Sequence, residues 1–113
     1  MFYIGSQSMS QAREVSEAAV YEALRSVQDP EMGVNIVDLG LITALNVSPD
    51  RIRVEFTLTF PGCPAGDLIR KDIVTVLYAA FGLTDIQAAL VWQPRWSPAR
   101  MSEEARLELG YPI

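Results

Sequence analysis

From Arg51 to Leu58 the chain alternates strictly, with Ile52, Val54, Phe56 and Leu58 interleaved by Arg53, Glu55 and Thr57. A two-residue period turns the first set into a buried sheet face and the second toward solvent. The Gly- and Pro-rich run Phe60–Gly66 then breaks the strand, and the period changes. Ile73, Val76, Leu77 and Ala80 recur at helical spacing, in a helix expected from Pro64 or Asp67 to Phe81 and stopped by Gly82. Thr84–Trp92 reads as a further strand. Strand, helix and strand in this order can close as a crossover unit, which is right-handed if the two strands are parallel.

Upstream, Leu41–Val47 reads as a strand joined to the alternating one by Ser48-Pro49-Asp50. Before it, Val20, Leu24 and Val27 form an i, i+4, i+7 stripe, with Arg13, Glu14, Glu17, Glu22 and Arg25 mostly on the other face. This helix is expected to begin near Ser8 or Ser10, since Ser8 and Gln11 have capping-box spacing, and to end at Gln28-Asp29-Pro30. A short helix over Ser102–Leu109 closes the pattern, with Glu103 and Glu104 in its first turn and Gly110 after it. The order α-β-β-α-β-α predicts an α/β fold, an α+β two-layer sandwich with helices on one face of a small mixed three-stranded sheet. Residues 1–9 read as an extension and 10–113 as a single domain. With half the residues hydrophobic and a fifth charged, the chain can fill a core without a metal or disulfide staple.

Composition excludes more than it suggests. The chain has no histidine, which removes Ser-His-Asp and Cys-His catalysis and every His-ligated metal site. A single cysteine removes an internal disulfide and a self-contained Cys cluster. A net charge of −5 argues against nucleic acid or an anionic membrane as partner. The start, Met1-Phe2-Tyr3-Ile4-Gly5, lacks the basic region of a signal peptide. The apolar run Ile73–Leu83 is too short to span a bilayer. A lone thiol without an export signal fits a reducing, cytoplasmic setting.

Two groups of residues could carry chemistry. Cys63 sits beside Gly62, just before an expected helix N-terminus, where unsatisfied N–H groups and the helix dipole favour thiolate. The alternative is a small buried hydrophobe, and a redox or acyl-transfer nucleophile lacks both a base and a resolving thiol. Asp38 lies inside the apolar run Ile36–Leu41. It reads either as a structural carboxylate held by N–H groups of its own turn or as a ligand. Asp29 and Glu31, flanking Pro30, read as a turn residue and a solvated charge, or as an acidic contact loop. Thr59 either orients a ligand or caps its loop. Trp92 and Trp96 bracket Gln93-Pro94-Arg95 and form a contact patch where exposed and a lid on the sheet where buried.

Taken together, Asp29-Pro30-Glu31, Asn35-Ile36-Val37-Asp38-Leu39-Gly40-Leu41-Ile42, Thr57-Leu58-Thr59, Gly62-Cys63-Pro64 and Trp92-Gln93-Pro94-Arg95-Trp96-Ser97-Pro98 resemble one family. It is the small domain shared by the bacterial iron–sulfur maturation factor SufT, the PaaD protein of phenylacetate degradation and eukaryotic cytosolic iron–sulfur assembly targeting subunits. The resemblance covers about Val20 to Tyr111. It implies a fold similar to the C-terminal domain of NifU-type scaffolds and a non-enzymatic role in iron–sulfur cluster assembly. It maps a reactive cysteine onto Cys63, an acidic loop onto Asp29 and Glu31, a buried carboxylate onto Asp38 and a supporting threonine onto Thr59. Apart from the resemblance, Gly62 reads as a binding position because it leaves room for a ligand to approach the backbone, and Arg95 and Trp96 read as partner contacts. Arg95 stands where the family often has proline. The single cysteine also departs from the cysteine-rich tail of PaaD proteins, which weakens a phenylacetate-specific reading. One thiolate cannot complete an iron–sulfur cluster, which usually takes four. A labile cluster or iron is therefore expected to be shared with a second protomer or a partner, among scaffold or client proteins. The alternative is an interaction adaptor without cluster chemistry, including an accessory role in a phenylacetate-type oxygenase pathway.

Overall fold

The computed structural model describes residues 14–60, 62 and 64–111. Its elements run α1 (Glu17–Leu24), β1 (Ile42–Ser48), β2 (Arg51–Phe56), α2 (Gly66–Phe81), β3 (Ile86–Leu90), a single 3-10 turn (Pro98–Arg100) and α3 (Glu103–Leu109). The sheet order is β1-β2-β3. β1 pairs antiparallel with β2, from Ile42↔Phe56 to Ser48↔Arg51, and β3 pairs parallel with β2, from Ile52↔Ile86 to Phe56↔Leu90. The sheet is thus mixed, and β2-α2-β3 is the crossover unit that the change of period predicts.

One sheet face forms the core. Ile52, Val54 and Phe56 are fully buried and pack with Val20 and Leu24 of α1 and with Ile69, Ile73 and Leu77 of α2. Ser16 caps α1, its hydroxyl accepting from the Ala19 N–H at 3.1 Å. The expected Ser8–Gln11 capping box and the extension over 1–9 lie outside the described residues, and among those described the helix begins later than expected. It also ends earlier, at Leu24. Val27 still completes the buried stripe, but from a turn in which its N–H donates to Leu24 O.

Between α1 and β1 the chain makes two tight turns. In the first, Asp29 N–H donates to Val34 O at 3.0 Å and Gly33 N–H to Asp29 O at 2.8 Å. In the second, the N–H groups of Leu39, Gly40 and Leu41 donate to the carbonyls of Asn35, Val37 and Ile36, which buries Ile36, Leu39 and Leu41. The segment after β3 then stitches itself to this second turn. Trp96 Nε1 donates to Leu39 O at 2.6 Å, Arg100 Nε to Gly40 O at 2.9 Å and Ser102 N–H to Asp38 O at 2.7 Å. The chains approach so closely that a Cβ at Gly40 would fall 2.7 Å from Arg100 Cβ.

Gly40 therefore combines two constraints, a φ of 77° and a lack of space. Gly33 has a similar φ of 73°, with nothing within 4 Å of an added Cβ. Gly33→Ala should cost about 1–2 kcal/mol, the left-handed penalty alone. Gly40→Ala should cost about 2–5 kcal/mol, because overpacking is added to it. Urea unfolding of the two variants measures the difference, and equal costs would refute the close approach.

Candidate functional site

Because β2 and β3 are parallel, both leave the sheet at the same end. In open α/β sheets that end, outside the carboxyl termini of the strands, is where a crevice forms. Here the exits are Thr57–Phe60 after β2 and Trp92–Trp96 after β3, and the pairing extends past the strands through Val91 N–H to Phe56 O at 2.8 Å. They enclose a cleft of about 630 Å³. Thr57, Leu58, Thr59 and Phe60 form one wall, and Trp92, Gln93, Arg95 and Trp96 form the other.

The walls differ in how firmly they are held. Thr57 is only 1 % exposed and its N–H donates to Leu41 O at 2.8 Å, so the outward-facing position assigned to it by alternation is wrong. β2 ends at Phe56, and Thr57 is buried just beyond it. Thr59 Oγ1 is buried with no hydrogen-bond partner. Trp96 is part-buried against the core and its indole N–H is committed to Leu39 O, so it is a structural wall more than a free contact. Trp92, by contrast, is 47 % exposed, as is Phe60. Arg95 is exposed and, among the described residues, makes no ion pair or side-chain hydrogen bond.

Cys63 itself lies outside the described residues. The loop that bears it is pinned at both ends. Thr59 and Phe60 stand in the cleft wall. Gly66, the first residue of α2, sits where a Cβ would meet Leu58 Cδ1 at 3.3 Å and Leu90 Cδ2 at 3.4 Å. Between them Gly62 is exposed and takes φ 84°, a left-handed conformation that glycine adopts without strain. The N-cap residue Ala65 offers no side-chain hydrogen bond, so among the described residues the first N–H groups of α2 have no side-chain cap.

Both aspartates are held inside the fold, by different means. Asp29 is a turn residue: it is 0 % exposed, with Oδ1 accepting from the N–H of Glu31 at 2.7 Å and of Met32 at 3.3 Å. Its carboxylate holds the first turn through Oδ1, while Oδ2 is buried without a hydrogen-bond partner; the Glu31 carboxylate of the same loop is exposed. Asp38, at 18 % exposure, is not held by N–H groups of its own turn but by side chains. Arg25 Nη1 donates to Oδ1 at 2.9 Å and Asn35 Nδ2 to Oδ2 at 2.7 Å, while Asp38 N–H donates to Asn35 Oδ1. Partial burial raises the Asp38 pKa, but the hydrogen bonds from Asn35 and Arg25, the Arg25 charge and Ser102 outweigh it, and the net shift is downward. Both Asp38 oxygens are thus engaged in locking the turn.

The sequence profile of the family described as iron-sulfur cluster assembly protein matches residues 17–90, from the start of α1 to the end of β3. The chain belongs to this family. A relative named Fe-S protein maturation auxiliary factor, from Porphyromonas gingivalis, is 41 % identical over 97 residues, covering 85 % of this chain and 92 % of that protein. The Staphylococcus aureus Fe-S protein maturation auxiliary factor SufT is 40 % identical over 85 residues, covering 74 % and 97 %. A crystal structure of a domain of unknown function from Bacillus anthracis superposes with a TM-score of 0.77 at 34 % identity, covering 94 % of this chain and all of that one.

Measured against an iron–sulfur cargo, the donor set is sparse. Among the described residues no three Cys, Asp or Glu side chains gather into a metal-holding group, and Cys63 adds one soft ligand where a cluster usually takes four. No helix among the described residues is long and apolar enough to cross a membrane.

Two predictions follow from this geometry. Asp38, with its lowered pKa, contributes stability that is complete above the ordinary Asp value of about 4 and is lost as pH falls through the lowered one. Asp38→Asn should therefore cost about 1–3 kcal/mol at pH 7 and flatten the stability profile below about pH 4; an unchanged acid limb in urea titrations would refute it. Trp96→Phe should cost about 1–3 kcal/mol by orphaning Leu39 O, whereas Trp92→Ala should stay within about 0.5 kcal/mol. Thermal unfolding of the pair checks this, and the opposite order would contradict the assignment of wall and contact.

Proposed function

We propose that this protein matures iron–sulfur proteins by holding iron or a nascent cluster transiently, as cargo, through the Cys63 thiolate. The observation that carries the reading is that the family match spans every element bordering the Cys63 loop while the chain owns a single thiol. One soft ligand makes a site that gives up its metal readily, which suits delivery and opposes storage. The remaining ligands come from a second protomer, from a client or from a scaffold. The role is binding and delivery, with no bond-making step of its own. The names of the relatives support the same reading, since both are called maturation auxiliary factors.

Client docking falls on exposed residues around the cleft, Trp92, Phe60 and Arg95, and on the exposed Glu31. The test is complementation of a deletion strain with Cys63→Ser, reading the activity of iron–sulfur enzymes and the level of folded protein. The expected result is client activity at the deletion level with normal protein levels and intact co-purification of clients. Full complementation by Cys63→Ser would leave an adaptor that acts only through its docking face.

A further inference from the structure

We propose that the cleft between the β2 and β3 exits is a binding site for a small thiol that carries a carboxylate, of the cysteinyl-peptide class. This rests on the proposed role of Cys63 and names the missing co-ligand. Three observations lead to it. First, Arg95 is the only charged residue in the cleft wall and has no acidic partner among the described residues, in a chain of net charge −5. A guanidinium left over in an acidic protein, on the rim of a concavity, is complementary to a planar carboxylate that it can hold through two parallel N–H bonds.

Second, the rest of the cleft fits the body of such a molecule. Trp92 and Phe60 offer exposed aromatic surface, and the Gln93 amide can donate to and accept from a peptide bond. Thr59 adds a buried hydroxyl without a partner at the same wall, which marks a place where a polar atom is missing. At about 630 Å³ the cleft lies within the range of sites for small organic ligands. Third, Cys63 follows Phe60 by three residues, so at most about 11 Å of extended chain separates the protein's only thiol from Phe60. A carboxylate anchors the molecule on Arg95, and its sulfur supplies a second soft ligand that the chain lacks.

The experiment uses the full chain without metal and reduced glutathione as the probe, with binding followed by calorimetry and by the indole N–H resonances of Trp92 and Trp96. Saturable binding is expected, weakened about tenfold or more in Arg95→Gln, as loss of a charged pair requires. Cys63→Ser should bind like the wild type in this arm, because the cleft and not the thiol makes the contact. An unshifted melting temperature for Arg95→Gln shows that the loss is local. In a second arm, anaerobic ferrous iron should tighten binding of glutathione but not of its analogue with alanine in place of cysteine, and Cys63→Ser should abolish that gain.

Absence of saturable binding, or equal affinity in Arg95→Gln, overturns the site. Binding without a ferrous gain overturns the co-ligand role. Equal ferrous gain for the analogue without sulfur overturns the thiol in favour of a carboxylate from another source, such as a client chain end. The role of Cys63 fails separately, in the complementation assay, and would leave metal-free binding in the cleft intact.

Discussion

Carbonyl groups of the turn before β1 take hydrogen bonds from the segment after β3. Trp96 serves Leu39, Arg100 serves Gly40 and, at 3.4 Å, Ile42, and Ser102 serves Asp38. These are backbone acceptors at the base of a turn that buries Ile36, Leu39 and Leu41, and leaving them unpaired there costs about 1–3 kcal/mol each. The stitch does more than satisfy acceptors. It carries the chain back from the end of β3 across the sheet, and in doing so it stands Trp96 in the cleft wall opposite Thr59. Without it the parallel exits of β2 and β3 would still share an end, but the second wall of the cleft would have nothing to hold its far side.

The same device separates scaffold from working surface. Asp38, Asn35 and Arg25 lock the turn from one side and Arg100 from the other, so the polar groups of that region are spent on one another. The cleft, by contrast, holds two polar groups without a partner among the described residues, the Arg95 guanidinium and the Thr59 hydroxyl, beside the exposed Trp92 and Phe60 rings. The uncapped N-terminus of a sixteen-residue helix follows directly on the Cys63 loop. This family member has one thiol in its sequence, and Phe60 of the concave, singly charged face precedes it by three residues.

Much of this was legible in the chain alone. The alternation over Ile52, Val54 and Phe56 and the stripe over Ile73 and Leu77 reported the core face correctly, because burial imposes those periods locally. Gly82 and Gly110 stop their helices, with φ of 71° and 81°. What was missed lies mostly where partners are distant in sequence. Asp29 and Asp38 carry the same side chain, and Arg25, thirteen residues away, makes one an ion-paired lock while the other holds its own turn. Thr57 looked solvated by parity, but the strand stops one residue earlier. Arg100 gave no signal at all, since its acceptors lie 58 and 60 residues upstream. Arg95 and Trp96 were expected as partner contacts, yet Trp92 is the more exposed ring.

The central claim is that Cys63 holds cargo only jointly with ligands from outside its own chain. Anaerobic reconstitution with iron and sulfide, followed by native mass spectrometry, tests it most directly. The account predicts that iron and sulfide appear only on species that contain a second chain, a client or an added thiol, and that Cys63→Ser removes them. A single chain carrying a complete cluster with no added ligand, or equal loading of Cys63→Ser, would contradict it.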